Sequence, residues 1–318
     1  DSVKSIGAYA FIMCRHLTFI KASNLSDRAF YVDDDVLYEN YTENGQSGVA
    51  LRFFPLAKWH DDYTIDSRVT AIGNNSMQQA EITSVTIPAT VRSINSFAFN
   101  SSEITSVTFE GTPSFGTEFE TSTAGSGITA GSGIFSNCTK LKTINNFPQN
   151  VEVLPASLFS GAVKLKQFEI PASVTEIGDT VFSNTGITEI TIPSGVSKIG
   201  SRVFSTSVPE AEGEEAVRSR VEVTFEKGSK LASIGPACFV GLNDYTAIFD
   251  PEDVAAYGAF AQAGYQGSLA GLKLPQDNTF VYGWVDKDSV QIIGLTDKGK
   301  EEIAITIPDE AVSDGQSY

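Results

Sequence analysis

Histidine, cysteine, methionine and tryptophan are all scarce here: 2 His, 3 Cys, 2 Met and 2 Trp in 318 residues. His16 and His60 lie in different segments, and no H-x-x-x-H, C-x-x-C or G-x-S-x-G pattern accompanies either. That removes the common zinc sites and the usual serine-nucleophile arrangement. The cysteines are odd in number. Cys14 and Cys138 each follow a phenylalanine by three residues and Cys238 directly precedes one, so all three are expected to be small buried fillers rather than disulfide partners. Basic residues are also few, 22 against 39 acidic ones, for a net charge of −17. Nucleic acid, which needs clustered Lys and Arg, is therefore not an expected partner, and acidic membranes are disfavoured. No run approaches the roughly 18 apolar residues of a transmembrane helix, and no signal peptide is recognisable. The Gly-rich stretch GTPSFGTEFETSTAGSGITAGSG has no Gly-Lys-Ser/Thr, and no EF-hand loop is present, so neither phosphate nor calcium chemistry is indicated.

What the chain does contain is repetition. LKQFEIPASVTEIGDTVF ends at Phe182 and ITEITIPSGVSKIGSRVF ends at Phe204, a period of 204 − 182 = 22 residues. Such a period marks a solenoid, in which one turn of chain cannot bury its apolar side alone and must stack on its neighbours. Within a turn, Ile190-Thr191-Ile192 alternates as a strand with one face buried, and Pro193 ends it because proline lacks the ladder N–H. Val196 and Ile199 are expected to point back into the coil, Gly200 to permit the next bend, and Phe204 to fill the turn. Two interior ladders follow: Ile87, Ile170, Ile192 and Phe225 in one, and Phe99, Phe135, Phe159, Phe182, Phe204 and Phe239 in the other.

The pattern I-x-I-P-x-x-V-x-x-I-G-x-x-x-F, seen at 85–99 (with Asn95 in place of glycine), 168–182 and 190–204, resembles the BspA-like leucine-rich repeats of surface proteins from anaerobic bacteria. Looser copies end at Phe11, Met77, Phe135, Phe159 and Phe239. The resemblance implies a curved leucine-rich-repeat-like solenoid, mainly β with parallel stacked strands and short helical turns. It also implies a location at the cell surface or secreted.

Along the chain, residues 1–249 are expected to form the solenoid, 250–275 a helical cap, and 276–318 a C-terminal β meander that is either a module of its own or the start of a further array. The opening DSVKSIGAYAF aligns with 172–182, so the N-terminus falls inside a repeat and any export signal is expected upstream. A β-hairpin extension occupies about 30–63, from the alternating runs Val36–Tyr41 and Val49–Phe54 with a loop longer than the tight two-residue type. Two insertions are expected, at about 111–133 and 207–220, emerging at opposite ends of the sheet strands. Asp250-Pro251-Glu252-Asp253 reads as a helix start, with an acid at the N-cap and proline in the first turn.

The expected function is non-enzymatic: a cell-surface recognition or adhesion module that binds an extracellular protein or glycan through the solenoid face and loops. The alternatives are a structural spacer or stalk and, more remotely, a glycan-active enzyme. The candidate ligand-binding residues are Tyr38, Tyr41, Trp59 and Tyr63, interleaved with Asp33, Asp34, Asp35, Asp61 and Asp62. Aromatic rings stack on sugars or anchor a protein, and neighbouring carboxylates attract basic groups. Packing of the hairpin on the solenoid competes with that reading, and Asp33–Asp35 also suit a turn. No metal or cofactor is expected, and the fragment is expected to be monomeric.

Overall fold

The computed structural model describes residues 29–116 (except 44 and 59), 130–207 and 220–250 (except 243), with scattered positions before 22 and after 257. Across this range the chain is a β-solenoid of about seven turns. Each coil has three sides. The front side is the expected strand: His60–Thr64, Ile82–Ile87, Ser106–Phe109 and Thr143–Asn145 form one parallel sheet, and Glu189–Ile192, Arg220–Phe225, Asp244–Ile248 and Ser268–Leu269 form another. Alternation aims Val85, Ile87, Val107, Phe109, Ile190 and Ile192 into the core, as period-two patterning requires.

The second side is a back sheet of two-residue strands, invisible as an alternating pattern at that length. Ala71–Ile72, Ser93–Ile94 and Ser114–Phe115 pair in parallel, as do Val153–Leu154, Glu176–Ile177, Lys198–Ile199 and Ser233–Ile234. The Ile-Gly pair of the repeat lies at the exit of this sheet, and the glycine serves a different purpose from the bend expected of it. Gly200 has no positive φ. A Cβ there would stand 2.6 Å from the Asp179 nitrogen and 2.7 Å from the Gly178 carbonyl carbon, so glycine is required because adjacent coils touch backbone to backbone.

The third side is the phenylalanine corner. Phe99, Phe135, Phe159, Phe182, Phe204 and Phe239 are buried and stacked, with centroid spacings of 5.3, 5.9, 6.1, 6.0 and 5.5 Å. This is the expected ladder. Around each ring the backbone turns left-handed two residues before and, in most coils, two residues after, as at Phe97 and Ser101 (φ 58 each) and at Thr180 (φ 57) and Asn184 (φ 52). These reversals point alternate N–H groups toward the next coil. Thr180, Phe182 and Asn184 donate to the carbonyls of Ser201, Val203 and Ser205 at 2.9, 3.1 and 2.9 Å.

The other expected ladder is also buried: Ile87, Ile170, Ile192 and Phe225 are at most 5% exposed. Residues 166–170, however, form no front strand, so the two front sheets are separate. Phe168 stands where the neighbouring coils carry Ile144 and Ile190, and its ring meets Phe147 edge-on at 5.0 Å and Phe159 at 4.9 Å. The phenylalanine corner runs on unbroken through this coil.

The hairpin is a three-stranded antiparallel extension of the back sheet, Phe30–Asp33, Val36–Glu43 and Gln46–Phe53, whose last strand pairs in parallel with Ala71–Ile72. Its loop is shorter than expected. Glu43 pairs with Gln46, leaving two residues for the turn, and Gly45 has φ 78. Asn44-Gly45 was the signal, masked by polar residues that continue the strands on both sides. The first insertion is also narrower than expected. Residues 114–115 are a back strand, so the excursion lies between 116 and 130. With the second insertion lying between 207 and 220, the two flank the phenylalanine corner rather than the two ends of the front strands. Residues 117–129, 208–219 and 251–257 lie outside the described residues, as do 270–279 and 301–311, so most of the expected cap and the final ITIP segment lie outside them too.

Candidate functional site

The interleaved aromatics and acids divide into three sets. Tyr38 is only 3% exposed and stacks on Tyr31 with centroids 5.3 Å apart, so its ring serves the core and offers no face to a ligand. Tyr63 alternates inward with Val85 and packs edge-on against Phe54 at 4.8 Å. Burial pushes its phenol up to about 12 and raises that of Tyr38 further. Tyr41, half-buried, is a clamp. Its ring lies over Gly48, where a Cβ would meet it at 2.6 Å, and its hydroxyl is 3.0 Å from Thr70 Oγ1 and accepts from Arg92 Nη2 at 3.4 Å. Trp59 lies outside the described residues.

Asp33 and Asp34, at the first turn, are exposed but engaged. Asp34 and Asp35 carry φ of 45 and 62 and make the tight reversal between the first two strands, the turn role foreseen for them. Asp33 and Asp66 share Arg68, with Nη2 contacts of 2.5 and 2.6 Å, and Lys58 reaches Asp34 at 3.0 Å. The Arg68 guanidinium also lies 5.9 Å from the ring centres of both Tyr31 and Tyr38. Its hydrogen bonds hold the Asp66 carboxyl below the usual carboxylate range. Arg68 was not singled out from sequence, because nothing local in IDSRV marks it as the hub of a hairpin 35 residues away.

Asp61 and Asp62 belong to a different surface. They are exposed on the first front strand, where Asp62 pairs with Ser84 and accepts a hydrogen bond from its hydroxyl. Beside the starts of these strands runs a groove of about 640 Å³, floored by buried Leu56 and Ile82 and walled by Gln79, Glu81, Thr83, Ser101, Glu103, Thr105 and Lys140. Its first coils carry Glu81 and Glu103, with Asp61 on the adjoining strand opposite Thr83, and its last carries Lys140, which pairs with Glu103. An acidic rim on an apolar floor can hold a basic chain whose stem lies along Leu56 and Ile82. Glu81 and Glu103 went unnoticed in sequence because they sit 22 residues apart, and only stacking makes them neighbours. Among the described residues no group of three His, Cys, Asp or Glu side chains could hold a metal ion, and no helix is long and apolar enough to cross a membrane.

The family described as BspA type Leucine rich repeat region matches residues 60–123 and 116–209, in 6 copies. These turns are BspA type leucine-rich repeats. No curated protein matches the chain. Among solved structures, a leucine rich cell surface protein from Faecalibacterium prausnitzii is 26% identical over 60% of this chain and 40% of its own, with a TM-score of 0.38. A leucine-rich repeat protein from Bacteroides ovatus is 22% identical over 71% of this chain and 56% of its own, with a TM-score of 0.39. The leucine rich repeat protein of T. pallidum is 18% identical, covering 74% and 97%, with a TM-score of 0.37. The chain thus spans about half the length, or less, of the first two.

Proposed function

We propose that this chain is a cell-surface or secreted recognition module that binds a basic segment of an extracellular protein along the groove beside the first front strands. The observation that carries the reading is the groove itself. Glu81 and Glu103, on successive coils, stand beside an apolar floor, with Asp61 on the preceding strand opposite Thr83, in a chain of net charge −17. Exposed carboxylates act at range, so association should be fastest at low salt and should weaken once the Debye length falls below about 8 Å. The hairpin aromatics anchor the coil, and Asp61 is the sequence-derived candidate nearest the groove. The test immobilises the protein, screens extracellular matrix proteins and glycans, and compares Glu81→Lys and Asp61→Lys with Tyr41→Phe. A ligand released by the first two and retained by the third supports the groove; equal retention by all three refutes it.

The spacer reading has one observation in its favour. The outward positions of the first front sheet that pair with one another include Ser84, Thr86, Ser106, Thr108, Thr143 and Asn145, small polar groups without an aromatic anchor, with Asp62 beside Ser84. If no matrix protein or glycan is retained at low salt, the spacer is the better description.

A further inference from the structure

At every coil-to-coil junction of the phenylalanine corner, three backbone donors meet three carbonyls of the coil that follows. Asn75, Met77 and Gln79 begin the series, and Arg202, Phe204 and Thr206 end it, donating to Pro236, Cys238 and Val240 at 3.2, 2.9 and 2.9 Å. The next three donors in this register are the N–H groups of Ala237, Phe239 and Gly241, and among the described residues none has an acceptor. Left-handed φ values of 55 at Ala237 and 85 at Gly241 keep them aimed outward, as in the inner coils. The back sheet stops at the same coil. Among the described residues Ser233–Ile234 is its last strand, and the Ile234 carbonyl, whose counterpart Ile199 accepts from Gly235 at 2.7 Å, receives no bond there. The last coil therefore presents one acceptor followed by three donors as a continuous open edge.

A groove of about 290 Å³ runs along this edge, lined by Ile234, Val240, Leu242, Tyr245, Ala263 and Tyr265 among others, with no charged side chain in its described lining. Val240 is 50% exposed. Phe239 is already covered, stacked on Tyr245 at 5.2 Å and met edge-on by Tyr265 at 5.1 Å. A further phenylalanine therefore has no place on the ladder, while the backbone donors beside it remain open.

We propose that this edge docks a segment of another polypeptide, an uncharged and glycine- and alanine-rich stretch that presents carbonyls at every second residue. The edge continues an interface that the solenoid builds at each inner junction, so the hydrogen-bond register of the occupant is set by those junctions. Unpaired donors beside apolar walls favour backbone carbonyls over water. A neutral lining selects against charged chains, and the filled space over Phe239 requires small side chains at the centre. This site lies at the opposite end of the array from the acidic groove, so either can fail without the other.

The test is amide hydrogen exchange by NMR on the whole chain, with and without the peptide acetyl-Ser-Gly-Ala-Ala-Ser-Gly-Ala-amide. The expected result is fast exchange at Ala237, Phe239 and Gly241 in the free protein and slowing by about fivefold or more at saturating peptide. Val240→Glu, which places a charge at an exposed position, should abolish the slowing while leaving the melting temperature unchanged. The proposal is overturned if these amides are already protected without peptide, if protection without peptide grows with protein concentration (a second copy), or if the peptide slows nothing or acts equally on Val240→Glu.

Discussion

Replacing Gly200 with alanine isolates the close approach of coils from every other role of glycine. The residue has no positive φ, so alanine adopts its backbone conformation freely, and the cost comes from one methyl group. That methyl would stand 2.6 Å from the Asp179 nitrogen, whereas ordinary contact begins at 3.4 Å, so the coils must part by 3.4 − 2.6 = 0.8 Å. Gly200 N–H donates to Ile177 at 2.8 Å across the same junction, and the same displacement takes that bond beyond hydrogen-bond length. Losing the bond costs about 1 kcal/mol and overpacking adds about 1–3, so the expected destabilisation is about 2–4 kcal/mol. Gly195 is the matched control. Its nearest neighbours to a new Cβ are the carbonyl oxygens of Ala172 and Val174 at 3.6 Å, an ordinary contact, and its φ is not positive. Gly195→Ala should be neutral or stabilising by about 0.4–1 kcal/mol, by restricting the unfolded chain. Urea denaturation followed by circular dichroism separates the two, through a lower midpoint at similar slope for Gly200→Ala alone. If both variants unfold at the same midpoint, backbone contact is not what glycine supplies here.

Phe182→Ala, which removes a ring stacked between Phe159 and Phe204, should cost about 3–5 kcal/mol in the same assay. Asp66 has a carboxyl whose pKa Arg68 lowers, so its contribution is present above the ordinary value of 3.8 and is lost as pH falls through the lower folded value. The midpoint difference between the parent and Asp66→Asn should be steady from about pH 5 upward and close below that range. Cys138 is buried, with its thiol pushed up to about 12, and none of the cysteines is in a disulfide, so iodoacetamide should spare Cys138 in the folded protein and reductant should leave the melting temperature unchanged.

The front strand, its proline stop and the phenylalanine ladder were legible in sequence because each is written by local periodicity and then written again 22 residues later. Repetition converts a weak local signal into a register, and Phe182 over Phe204 needs no tertiary information. The back sheet was not legible, because Glu176–Ile177 and Lys198–Ile199 are too short to alternate. The function of Gly200 was misread for a related reason: close approach is a property of two coils, and one coil's sequence cannot state it. Tyr38 and Asp61 show the same division at the candidate site. Both are polar-tipped strand residues in similar company, and only the pairing of each strand sends one ring inward and leaves the other carboxylate in water. Arg68 binding Asp33, Glu81 stacking above Glu103, and the unanswered donors of Ala237, Phe239 and Gly241 are all relations between coils. Local patterning determined that this chain would coil; tertiary stacking decided which of its groups face a partner, because stacking sets which backbone and side-chain groups are satisfied within the protein.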